Sequence, residues 1–106
     1  MQTIQSIDLI ATDPKVRGGR PCIIGTGIRV TDIVMAHIYH DRAPGEIAAD
    51  YELDISKVYA ALAYYYQHKE ELDADIREQI RTAREFKEKN VGSQGPSLLP
   101  GREPAG

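Results

Sequence analysis

The chain has 106 residues, 42% of them apolar and 27% charged, with a formal net charge of −3. That length holds one domain around one modest core, and the mild acidity excludes a general affinity for nucleic acid or acidic membranes. Cys22 is the only cysteine, which excludes an intrachain disulfide and a multi-cysteine metal site.

From the N-terminus, MQTIQSIDLIATD lacks both a basic start and a continuous apolar run, so no secretory leader is expected. No later stretch reaches the roughly 18 apolar residues of a membrane span. A cytoplasmic protein with no membrane partner is the expectation. Residues 1–30 carry four basic and two acidic side chains, residues 31–60 two and six, and residues 61–90 six and seven. The best cations therefore lie early, at Lys15, Arg17, Arg20 and Arg29.

Residues 1–30 are rich in Ile and Val with Gly and Pro punctuation, which reads as short strands and turns. Within them CIIGTGIRV, residues 22–30, could be a phosphate loop or a hairpin. A dinucleotide fingerprint needs a third glycine where Val30 stands, and a P-loop needs a lysine after the glycines. Neither is present. Two three-residue strands around Gly25-Thr26-Gly27, with glycine supplying positive φ, fit the residues better.

The first helix is expected to start at Thr31 as N-cap, with Asp32 at the positive end of the dipole, and to end near Asp41. The second begins at Pro44, a residue suited to the first helical position, and is poorly capped by Ala43. Its apolar face is Ile47, Ala48 and Tyr51. The third follows Asp54, a good cap. Ile55, Val58, Tyr59, Leu62, Tyr65 and Tyr66 recur at spacings of three and four, which predicts one buried side. A charged fourth helix over 68–89 carries a narrow stripe of Leu72, Ile76, Ile80, Ala83 and Phe86. Its other faces hold four-apart pairs such as Asp73 with Arg77 and Arg81 with Glu85. From residue 90 onward, Pro and Gly density without periodicity predicts a disordered tail.

His37 and His40 lie three apart, but no third metal ligand is evident. Tyr64, Tyr65 and Tyr66 cannot form one stacking platform, because consecutive helical residues point in different directions. Tyr65 and Tyr66 are expected in the core and Tyr64 partly exposed. No nucleophile–base or carboxylate pair can be read, so neither enzyme activity nor a cofactor is expected.

The segment from Pro44 to Tyr65, a short helix, a three-residue break and a longer helix, has the spacing of a helix-turn-helix. The exception is Glu52, where a turn glycine is usual. A DNA reader of this type would use Ser56 and Lys57 at the start of the second helix, with Arg20 and Arg29 supplying charge. Glu46, Asp50, Glu52 and Asp54 would oppose phosphate. The stripe Leu72, Ile76, Ile80, Ala83 and Phe86 suits either packing against its own domain or another protein's groove, and the leading reading gives it to a partner protein. Removing the chain after His68 is then expected to abolish partner binding and leave the core folded.

The pattern P-x-I-x-G-T-x-I-x-V, here Pro21, Ile23, Gly25, Thr26, Ile28 and Val30, together with the run around Ile55 to Tyr65, resembles the domain of unknown function 433 family. These are small bacterial proteins, some described as VapB-type antitoxins. The resemblance spans about residues 8 to 75. It implies a mainly α, winged-helix or homeodomain-like helix-turn-helix domain of three to four helices, with a short N-terminal β-hairpin element, over residues 1–89. It further implies an antitoxin that binds a PIN-like ribonuclease toxin and its own promoter DNA; from the residues themselves a non-enzymatic homo-oligomer is expected. The alternative is a homo-oligomeric protein-interaction module with no DNA role. Two departures stand out: Gly27 where the family usually has Arg, and Ala43 where Ser or Thr usually caps the second helix.

Overall fold

The computed structural model describes residues 1–94, with side-chain surroundings described for residues 1–89. In chain order the elements are β1 (Ile10–Ala11), a 3-10 turn (Arg17–Gly19), β2 (Cys22–Ile23) and α1 (Val30–Val34). A π-helical stretch (Met35–Tyr39) continues α1 directly and is followed by α2 (Pro44–Tyr51), α3 (Ile55–Gln67) and α4 (Lys69–Gln94). The fold is mainly helical with a short antiparallel β element at the N-terminus. Among the described residues no helix is long and apolar enough to cross a membrane.

The hairpin forms, but its regular ladder lies elsewhere. Ile23 N–H donates to Ile28 O at 2.9 Å and Thr26 N–H to Ile23 O at 3.0 Å. The Thr26 hydroxyl closes the turn, donating to Ile23 O at 2.7 Å and accepting Ile28 N–H at 3.0 Å. Gly25 has φ 75°, the left-handed conformation that asks for glycine. The return strand is reduced to one bridge, Cys22 with Arg29. The two-residue ladder pairs β2 with β1, Ile10 opposite Ile23 and Ala11 opposite Cys22.

Helix α1 starts earlier than expected. Arg29, not Thr31, is the N-cap. Its N–H donates to Asp32 Oδ2 at 3.0 Å, which is the reciprocal half of a capping box, and Thr31 sits inside the first turn, buried. In α2, Pro44 takes the first position. The weak cap at Ala43 is offset by Glu46, whose Oε1 accepts the Ala43 N–H at 2.9 Å. Glu52 ends α2 at φ 57°, ψ 47°. Leu53 N–H then donates to Ala48 O at 2.8 Å and Glu52 N–H to Ala49 O at 3.3 Å, the paired bonds of a left-handed helix end.

Backbone contacts group the chain into Met1–Asp73 and Ala74–Gly106. In the first unit α3 packs against α1, α2 and both strands. Ile23, Val30, Ile33, Val34, Ile47 and Val58 are at most 1% exposed, and Cys22, Ala48, Ala61, Leu62, Tyr65 and Leu72 complete the core. Three residues expected on the buried side of α3 are not there: Ile55, Tyr59 and Tyr66 are 46%, 55% and 61% exposed. The apolar arc of α3 is wider than the face its neighbours cover. In the second unit α4 continues to Gln94, past the expected end at 89, since extending a formed helix costs little. The rest of the expected tail, 95–106, lies outside the described residues.

Candidate functional site

Of the residues expected to touch DNA, Ser56 is exposed and Arg20, Arg29 and Lys57 are half-buried. Arg29 is engaged with Asp32: its Nε donates to Oδ2 at 3.2 Å and its Nη2 to Oδ1 at 2.8 Å. Both side chains are only about one-fifth exposed, 19% and 22%. A bidentate pair of this kind that also caps α1 holds its guanidinium in place. Arg20 is half-buried, and its carbonyl accepts the Cys22 thiol at 3.4 Å. Arg17 reaches across to donate to Gly27 O at 3.3 Å, so the turn that lacks a cation at Gly27 is tethered by one from outside.

At the start of α3, Ser56 is exposed and Lys57 half-buried, with Glu52 and Asp54 exposed beside them. Asp54 occupies the N-cap, and its carbonyl accepts Lys57 N–H at 2.9 Å. Asp50 is neutralised by an ion pair with Arg42. Across all of α3, ISKVYAALAYYYQ, Lys57 is the only charged residue. The outward face is instead Ile55, Tyr59, Ala63 and Tyr66.

The expected partner stripe divides. Leu72 and Ile76 are 5% and 0% exposed, so neither is available to a partner in the folded chain. Ile80 is half-buried, and Ala83 and Phe86 are exposed. Arg81 holds Glu85 at 2.7 Å and Glu78 beside this exposed end, and those carboxylates, Glu78 foremost, push the guanidinium pKa further up.

Tyr65, Lys69 and Asp73 form a cluster that the sequence did not signal, because it joins two helices across a break at His68. Tyr65 OH donates to Asp73 Oδ1 at 2.7 Å, and Lys69 Nζ donates to Oδ2 at 2.8 Å. Asp73 thus pairs with Lys69 in place of the expected Arg77. His68 stacks on Tyr64 with ring centroids 4.1 Å apart.

The two histidines are set apart by local structure: His37 Nδ1 lies 2.8 Å from Arg42 O, while His40 is exposed past the π-helical stretch. Among the described residues no group of three His, Cys, Asp or Glu side chains could hold a metal ion. An open groove of about 730 Å³ runs beside the β element, bordered by Asp13, Val16, Ile24 and Thr26. Cys22 also borders it, and burial raises the pKa of that thiol.

The family model for "Protein of unknown function (DUF433)" matches residues 10–65. The crystal structure of a DUF433 member protein from Anabaena variabilis ATCC 29413 is 32% identical, with a TM-score of 0.60, covering 66% of this chain and 69% of that one. Among curated proteins nothing matches.

Proposed function

The chain belongs to the DUF433 family, whose function is unknown, and from its surfaces we propose that it is a non-enzymatic protein-binding module of antitoxin type. Its partner in this reading is a PIN-like ribonuclease, held by the outer part of α4. The observation that carries the reading is the apolar line on that helix, which continues beyond the point where the fold buries it. Leu72 and Ile76 are covered, whereas Phe86, in register with them, is 69% exposed. A helix with one apolar edge and charged flanks is suited to another protein's groove.

A promoter-DNA role would fall to Arg20, Ser56 and Lys57, because Arg29 is engaged with Asp32. With acids beside Lys57, such binding is expected to be weak and to collapse with added salt.

The test is capture of a small PIN-like ribonuclease co-expressed with the full chain. The double variant Ala83→Glu, Phe86→Glu should weaken capture by about 30-fold or more, the scale of losing an aromatic anchor, with the melting temperature unchanged. Undiminished capture by that variant would remove α4 from the interface. Promoter binding measured in parallel by fluorescence anisotropy should be unaffected by the same pair of substitutions.

A further inference from the structure

The outward face of α3 points to a different occupant from that of α4. Ile55, Tyr59, Ala63 and Tyr66 stand four, four and three residues apart, so they form one line along the helix. All four are exposed. The Tyr66 ring is braced edge-on against Tyr65, with centroids 5.0 Å apart and planes at 60°, so part of this surface is already ordered. Beside the line runs a groove of about 430 Å³ between Ala60, Ala63, Tyr64 and Gln67 of α3 and Gln5, Ile7 and Ile10 of the N-terminal segment. In that segment Ile4 and Ile7 are 91% and 78% exposed.

We infer that this face is the seam of a homodimer, with α3 of one copy lying antiparallel on α3 of a second copy across a two-fold axis. Three properties favour a copy of the same chain. The first is area. Scaled by their exposed fractions, Ile55, Tyr59, Tyr66 and the groove-lining Ile7 offer on the order of 450 Å² of apolar surface, with aromatics at about 150–250 Å² each. That is a patch of the size that is often functional on a monomer, about 300–600 Å², and it supplies more than half of the roughly 800 Å² that each partner gives to a standard interface.

The second is charge. The line itself contains no charged side chain, so the face can meet itself without like-charge repulsion, and its tyrosines suit an interface centre. The third is shape. An antiparallel two-fold brings the large Tyr59 opposite the small Ala63 of the other copy and lets Ile55 meet Tyr66 at both ends. A contact of this kind, the same patch on both sides, is closed and self-limiting. It would also remove the outward face of α3 from any DNA groove.

The seam does not depend on the antitoxin reading, and its test is separate: mass in solution, measured by sedimentation on the full chain alone over a wide concentration range. The wild-type chain should show twice the single-chain mass. Tyr59→Glu combined with Tyr66→Glu should restore the single mass with helix content by circular dichroism unchanged. Both positions lie outside the core, and Ile55→Lys provides a second variant if the first folds poorly. A wild-type chain that stays at single mass into the millimolar range would overturn the seam, as would a doubled mass that survives both variants. A single-mass chain whose α3 face binds only a foreign protein overturns it as well.

Discussion

The Tyr65 ring is buried, yet its hydroxyl has a charged acceptor in Asp73, which Lys69 also holds. Burial, and then the bond to Asp73, raises the Tyr65 pKa above its ordinary value of 10.0. The hydrogen bond to Asp73 likewise raises that of Lys69. A raised folded value means that the folded chain keeps its proton longer than the unfolded chain does. This stabilisation is therefore complete below pH 10 and is lost as pH climbs through the raised value. Tyr65→Phe should cost about 1.5–3 kcal/mol near neutral pH, the range for a bond to a charged group. Melting curves should also show a shallower decline above pH 10 for the variant than for the wild type. Sequence spacing made Asp73 legible as half of an ion pair but named Arg77 as the other half. The four-apart rule admits a partner on either side, and the choice fell to Lys69, whose Nζ also lies 5.6 Å from the centre of the Tyr65 ring.

At the scale of elements, the number of helices and their breaks were legible, because Pro44, the Glu52–Asp54 interruption and three- and four-residue periodicity are local signals. The facing of α3 was only half legible. Val58, Leu62 and Tyr65 are buried and Ile55, Tyr59 and Tyr66 exposed, yet all six belong to one continuous apolar arc. Periodicity gives the width of such an arc and not the part of it that neighbours cover. The hairpin was legible from its glycines, whereas β1 was not, since a two-residue strand leaves no alternation to read. Glu52 shows a turn preserved without its usual residue: the conformation at φ 57° costs a non-glycine residue about 1–2 kcal/mol. Glu52→Gly should therefore raise stability by roughly 0.5–1 kcal/mol in urea unfolding, after glycine's own entropy cost, with α2 and α3 retained.

For the molecule as a whole, the sequence left open whether the fourth helix packs on its own domain or on a partner. A chain cut after His68 loses the buried Leu72 and Ile76, each worth about 1.5–3 kcal/mol, together with the Asp73 and Lys69 contacts to Tyr65. Against a total of about 5–15 kcal/mol for a small domain, that cut should leave the chain largely unfolded. A cut after Gln79 should keep cooperative urea unfolding. Which of the DNA-facing residues named from sequence keeps its charge available was not legible there, because a cation's availability depends on its neighbours, and Asp32 engages Arg29. Cys22 has a consequence of another kind. Its sulfur is buried and burial raises its pKa, so almost none of it is thiolate near neutral pH, the form that oxidants and disulfides attack. The folded chain should therefore oxidise slowly at its one thiol, and a pairing of two copies should be released by dilution and not by reductant.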